Sequence, residues 1–259
     1  MPYHLILFFT YGTSLKMWND IGMFHREVAL YKKLQNMGIK ISFITYGMDD
    51  RQYQSQLTDI SIFDNHFRLP NNVYARLIPF LHMNVLRNAD IYKTNQFKGG
   101  EFAVLAARFW QKPVIARAGY SWKGFVSKQD DADDAMIQKV ANSQTRLIDS
   151  ASMIIVTTQR HADQIQVTHS NKPIRIHPNY ILTDIFKPSQ TEKRFDVVFV
   201  GRIAPQKNLT MLFDAMRRLE GRRLLMIGQG ELAESLKRDY ADLSDRVTCY
   251  GSAPHDELP

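Results

Sequence analysis

Short runs of branched and aromatic residues recur along this chain, and most are followed by a segment that is apolar at helical spacing. YHLILFF (residues 3–9), KISFITY (40–46), residues 89–94, PVIAR (113–117) and SMIIVTT (152–158) read as strands. Between them, Phe24, Val28, Tyr31 and Leu34 recur as one face of a helix that Gly38 ends. Val73, Leu77, Phe80 and Leu81 mark a further helix, with Pro79 placed to kink it. Helices are also expected over about 101–110 and 133–149. Strands joined through single helices imply right-handed crossovers and a parallel sheet covered on both faces. The fold class is α/β.

Around residues 177–188 the texture changes. HPNYILTDIFKPSQTEKR contains two prolines, little periodicity and a polar tail, the mark of a linker. A new unit then opens with the strand DVVFV. The amphipathic helix of Leu209, Leu212, Phe213, Met216 and Leu219 follows, then the strand RLLMIG, a helix around Leu232, Leu236 and Tyr240, and the strand VTCYG. Two domains are expected, residues 1–185 and 186–259. The second has about three strands and two helices, too few to cover both faces of a parallel sheet.

The 259 residues are 44% hydrophobic and 23% charged, which excludes wholesale disorder. The single cysteine, Cys249, allows no internal disulfide, so a reducing cytoplasmic setting is expected. No apolar run approaches the roughly 18 residues a membrane-spanning helix needs. The net charge of +7 is unevenly spread. Residues 196–259 hold nine Lys and Arg against ten Asp and Glu, so the excess lies wholly before them. Such a face suits an anionic membrane surface or acidic small molecules, and it also serves plain solubility. Without an aromatic RNA-recognition signature or a lysine run, a nucleic-acid partner is not expected.

The motif richest in chemistry is FVGRIAPQKN (199–208). Gly201 ends a strand, Arg202 and Lys207 follow, and a helix begins near Asn208. Ligands of open α/β sheets bind beyond the carboxyl ends of the strands. Two cations there, beside a helix start, suit a phosphate or diphosphate; the alternative is a pair of solvated surface charges. In MIGQGELAESL (226–236), Gly228, Gly230 and Ala233 match the G-x-G-x-x-A dinucleotide fingerprint. The acidic residue that holds the ribose in that motif is missing, since the next strand ends in Cys249, Tyr250, Gly251 and Ser252, which argues against NAD. The glycines serve either close backbone approach to a ligand or a tight turn.

Further glycines punctuate three loops expected on one sheet edge: Gly12 and Gly22, Gly99 and Gly100, and Gly119 and Gly124. The acidic run Asp130, Asp131, Asp133, Asp134 resembles a metal-binding D-x-D, but it opens a helix, where carboxylates favour the dipole. The eight histidines show no zinc spacing, and neither a G-x-S-x-G elbow nor a P-loop occurs.

FVGRIAPQKNLTMLFDAM, LLMIGQGELAESL and RVTCYGSAPHDELP together resemble the start of the C-terminal domain of family 4 (group 1) glycosyltransferases, which are GT-B enzymes. HPNYILTDIFKP resembles the segment that precedes this domain in them, and GMFHREVALYKKLQNMGIKISFITYG their first helix and second strand. The resemblance implies a GT-B-like fold: an N-terminal Rossmann-like acceptor domain and the opening of a second, nucleotide-sugar-binding one. It further implies retaining, metal-independent hexosyl transfer, without a cofactor, from a nucleotide-diphosphate sugar to a glycan or lipid-linked acceptor in polysaccharide biosynthesis. Arg202 and Lys207 stand at the family's diphosphate-binding pair, with Gly201, Gly228 and Gly230 on the donor side. Gly12, Asn95, Arg117, Tyr120 and Trp122 are assigned to the acceptor side by loop position. The family's later pair of glutamates is missing, so the chain reads as a fragment, inactive alone, of an enzyme that is cytoplasmic or peripheral on the inner membrane face. A non-catalytic nucleotide- or membrane-binding module and a sugar-nucleotide epimerase of the same fold are the alternatives.

Overall fold

The computed structural model describes residues 2–127, 133–188, 190 and 192–258, and divides the chain into two compact units, Met1–Ile181 and Leu182–Pro259. The division falls slightly before the 185/186 boundary read from the linker composition.

The first unit runs β1 (His4–Phe8), α1 (Leu15–Asp20), α2 (Phe24–Asn36), β2 (Lys40–Ile44), a 3₁₀ segment (Asp50–Gln56), β3 (Ile60–Phe63), α3 (Asn71–Leu81), α4 (Met83–Asn88), β4 (Ile91–Thr94) and α5 (Gly100–Trp110). It continues with β5 (Val114–Ala118), α6 (Trp122–Val126), α7 (Asp134–Ser150), β6 (Met153–Val156), α8 (Gln159–Thr168) and β7 (Ile174–Ile176). Its seven strands are all parallel, in the order β3-β2-β1-β4-β5-β6-β7. The chain steps outward through β2 and β3, then returns beside β1 and steps outward the other way. The reversal falls between β1 and β4, the kind of switch point at which such sheets take ligands.

Both faces of this sheet are covered, as the paired directions of crossover require. Lys93 of β4 meets Tyr31 of α2, whereas its neighbour Tyr92 donates to the Leu86 carbonyl of α4 on the opposite face. β1 is accordingly buried along its whole length, with Ile6 and Leu7 inaccessible. A strand enclosed on two sides has no solvent face to keep polar, which is why HLILF does not alternate.

Two expectations need correction. The loop read between Gly12 and Gly22 contains α1, capped by the Ser14 hydroxyl, which accepts from the Met17 N–H. α3 forms where expected and runs past Pro79 to Leu81, but on another face: Tyr74, Ala75, Ile78 and Pro79 are buried, whereas Val73, Leu77 and Phe80 are exposed. β3, α8 and β7 add elements that the sequence reading lacked. Asp133 caps α7 by accepting from the Met136 N–H, which suits the helix-start reading; Asp130 and Asp131 lie outside the described residues.

The second unit holds β8 (Val197–Val200), a 3₁₀ turn (Pro205–Lys207), α9 (Leu209–Arg218), β9 (Leu224–Ile227), α10 (Ala233–Asp239) and β10 (Val247–Gly251). Its strands are parallel, in the order β10-β9-β8. Successive right-handed crossovers in one direction put both helices on one face. Phe213, Met216 and Leu236 from those helices pack with Leu224 and Met226. On the other face Val198 and Val200 are 54% and 49% exposed.

Candidate functional site

In the second unit all three strands end on glycines with positive φ: Gly201 (+154°), Gly228 (+148°) and Gly251 (+89°). The sheet's hydrogen bonding continues past the strands, from the Gly201 N–H to the Ile227 carbonyl (2.9 Å), Ile203 to Gln229 (2.9 Å) and Gly228 to Gly251 (2.7 Å). A Cβ on Gly228 would stand 1.8 Å from the Gly201 oxygen, and one on Gly230 would stand 2.1 Å from the Ile203 oxygen. These glycines are therefore demanded by chain against chain. The space a side chain would occupy is filled by neighbouring backbone, so the turn reading accounts for both without any ligand.

Arg202 and Lys207 lie on the loop that this stitching holds. Both are exposed. The Arg202 Nη2 donates to Gln206 Oε1 at 2.8 Å across the 3₁₀ turn. The Lys207 stem folds back toward Gly201, its Cε 3.7 Å from where a Cβ on that glycine would sit. Among the described residues neither cation is ion-paired. Asn208 follows in a left-handed conformation (φ +46°) and turns the chain into α9. Two unpaired cations at a glycine-floored strand edge can take a polyphosphate without displacing an internal carboxylate.

In the first unit the loops after β1, β4 and β5 gather at one edge. The Tyr11 N–H donates to the Lys98 carbonyl at 3.2 Å. Gly99 (φ +86°) permits this approach, because a Cβ there would lie 2.6 Å from that of Tyr11. Gly12 (φ +79°) lies in the same β1–α1 loop. Asp50 fixes the loop from below, accepting from the Leu15 and Lys16 N–H groups at 2.8 and 3.2 Å. Burial raises the Asp50 carboxyl above its ordinary range, while these donors pull the other way.

Arg117 and Asn95 come together as the loop positions suggest: Nη1 of Arg117 donates to the Asn95 carbonyl (3.2 Å), and Nη2 to Asn179 Oδ1 (3.0 Å). Tyr120 stands half exposed with its ring edge-on to Phe125. Trp122 is partly buried and packs against the apolar cluster of Ala116, Ile154 and Leu147. The sequence reading passed over Lys93, Tyr31 and Asn179 as site residues near Arg117; a lysine inside the strand IYKT was the available signal. A shallow hollow lined by Lys32, Gln35, Lys40 and Asp59 lies at the opposite edge, where β2 and β3 begin.

Residues 182–259, the whole second unit, match the family described as glycosyl transferases group 1. The chain resembles group 1 glycosyl transferases. It is 28% identical over 180 residues to the D-inositol 3-phosphate glycosyltransferase of Mycobacteroides abscessus, covering 62% of this chain and 40% of that one. The enzyme of the same name from Mycolicibacterium smegmatis is 28% identical over 183 residues, covering 61% and 41%. The chain thus spans about two fifths of the length of these curated relatives.

Among solved structures, sucrose-phosphate synthase from Thermosynechococcus elongatus superposes with a TM-score of 0.73 at 15% identity, covering 99% of this chain and 72% of that one. Anabaena HepE in complex with UDP-glucose superposes at 0.58 and 16% identity, covering 96% and 69%. The fold is GT-B-like, with a seven-stranded Rossmann-like unit followed by a three-stranded one. No helix among the described residues is long and apolar enough to cross a membrane.

Proposed function

We propose that residues 182–259 bind the diphosphate of a nucleotide-sugar donor, and that the sugar passes, with retention and without a metal ion, to a glycan or lipid-linked acceptor received by residues 1–181. The observation that carries this reading is the pair Arg202 and Lys207. They are unpaired cations on a backbone-stitched loop within the segment that matches the glycosyl transferases. HepE, of the same fold, is described in complex with UDP-glucose, which supports a uridine donor.

The chemistry follows from where charge develops. Breaking the bond between sugar and diphosphate leaves negative charge on the departing phosphate oxygens. Arg202 offers a fork of N–H donors to two such oxygens, and Lys207 a movable point charge. Cations fixed before the reaction stabilise the transition state more than the ground state, and losing one such contact costs on the order of 3 kcal/mol. The Gly201 and Gly228 N–H groups are spent on the Ile227 and Gly251 carbonyls, so they hold the loop in place and the two cations carry the charge stabilisation. The excess charge of +7 lies wholly in residues 1–181, which supports an acidic acceptor there or peripheral contact with an anionic cytoplasmic membrane face.

Calorimetry of the full chain with UDP-glucose and GDP-mannose tests the reading. Arg202→Ala and Lys207→Ala are each expected to weaken donor binding by about tenfold to a hundredfold, the worth of one hydrogen bond to a charged group. Variants that bind as the wild type does refute it.

A further inference from the structure

Among the described residues Lys93 is a buried cation with no ion pair. It lies on β4, 8% exposed, with its Nζ donating to the Tyr31 hydroxyl at 2.9 Å and standing 5.3 Å from that ring's centre. Its strand partner is Ile115, so Arg117, two residues further along β5, projects from the same face. Among the described residues neither Lys93 nor Arg117 is ion-paired. An isolated buried ammonium costs several kcal/mol, and a second cation beside it adds to that. A phenol and a ring face offset only part of the cost.

The charged and titratable groups around Lys93 are Arg117 from β5, Glu27 and Tyr31 from α2, and Tyr180, which donates to the Arg26 carbonyl. Burial first, and then the Arg117 charge, push Lys93 down to about 7, with Glu27 opposing. A neighbouring anion would work against both of these causes and hold the proton on Lys93. The position is also telling: β4 and β5 end at the edge where the Gly12 and Asn95 loops gather, beside the reversal of strand order.

We propose that Lys93 and Arg117 together seat a doubly charged oxyanion, a phosphate- or sulfate-type group on the molecule received by the strand-end edge of residues 1–181. Arg117 supplies guanidinium donors beyond the two spent on Asn95 and Asn179, and Lys93 supplies charge from the same face of the sheet. The inference rests on the reading that an acceptor occupies this edge, but anion binding is measured without sugar transfer, so the two fail separately.

Sulfate is the cleanest probe, since it stays a dianion across the range in which Lys93 titrates. Its affinity for the full chain is expected to fall about tenfold as pH rises from about 6 to about 8, which corresponds to about one unit of linkage to the Lys93 proton. Lys93→Met is expected to bind weakly with no such slope. Arg117→Gln is expected to bind weakly, with its slope displaced to higher pH because Lys93 loses the neighbouring positive charge. The ¹³Cε resonance of Lys93 in the wild type, which needs no variant to fold, is expected to titrate near 7 alone and at least one unit higher in saturating sulfate.

Glycerol 3-phosphate and vesicles of phosphatidylglycerol in phosphatidylcholine separate the sources of the group. Lys93-dependent binding of the soluble ester supports the seat and a soluble phosphate, and Lys93-dependent binding of vesicles alone supports the seat and a lipid headgroup. Sulfate affinity independent of pH and of both substitutions, or a Lys93 resonance that sulfate does not move, overturns the proposal.

Discussion

The two units repeat one device, a parallel strand returned by a helix, but they bury it to different depths. β1 is enclosed throughout because α2 lies on one face of its sheet and α4 on the other. In β8 burial alternates: Val197 and Phe199 turn toward the helices, while Val198 and Val200 remain about half exposed. At their strand ends the units are nonetheless alike, since each gathers loops that pack closely through glycine, Gly99 against Tyr11 in one and Gly228 against Gly201 in the other. The backbone stitching that shapes the edge is local to the strand ends and does not depend on a sheet covered on both faces. Completeness of the core and construction of the strand-end loops are therefore separable properties of this fold.

The largest effect that sharpens this contrast is expected in the first core. Phe43 is inaccessible, with its ring against those of Phe9 and Tyr31. Phe43→Ala is expected to cost about 3–5 kcal/mol, because a site wedged between two other rings collapses poorly into the cavity. Urea unfolding followed by the emission of Trp18, Trp110 and Trp122, all within residues 1–181, measures it. A loss below about 1 kcal/mol would mean that the enclosure of this unit is looser than its burial implies.

Acid separates the units next. His4, His82 and His161 all belong to the first, and burial lowers each below the ordinary histidine value. His82 is lowered furthest, to about 4, with its Nε2 2.8 Å from the Tyr74 hydroxyl. The folded state thus prefers the neutral ring. The resulting stability is present above the unfolded value near 6.5 and is lost as pH falls through the folded value near 4. The loss for His82 amounts to roughly 3 kcal/mol at most. His82→Gln, which keeps an acceptor for Tyr74, is expected to flatten the fall of the urea midpoint between pH 6.5 and 4. An unchanged slope would assign the acid sensitivity to other groups.

How much of this was legible in the sequence depended on whether an element carries its own pattern. β1, β2 and α9 did, since burial on two faces gives a mostly apolar run without alternation and burial on one gives helical spacing. α3 is apolar on both sides: Tyr74 and Ile78 turn inward, while Phe80 meets Phe109 of α5 at 4.9 Å on the outside. Periodicity could announce that helix but could not choose its face. α1 is only six residues long; Ser14 caps it locally, but its Leu15 N–H is held by Asp50, 35 positions away in the chain, a contact no local pattern contains. The cations Arg202 and Lys207 were legible because their spacing belongs to one loop. Lys93 was not, because its company comes from α2, β5 and the segment at 179–180.

The smallest expected effect tests the open face directly. Val156 of β6 is inaccessible, and Val198 of β8 is 54% exposed. Threonine keeps the shape and β-branching of valine and adds one hydroxyl, so a matched pair of substitutions compares surroundings rather than volumes. Val156→Thr buries that hydroxyl among apolar neighbours and is expected to cost about 1–3 kcal/mol. Val198→Thr leaves it in water and is expected to stay within about 0.5 kcal/mol of the wild type. Thermal and urea unfolding of both variants measure the difference. Should Val198→Thr prove as costly as Val156→Thr, then β8 is covered in solution by something that excludes water, and the contrast between an enclosed sheet and a half-open one does not hold for the protein in solution.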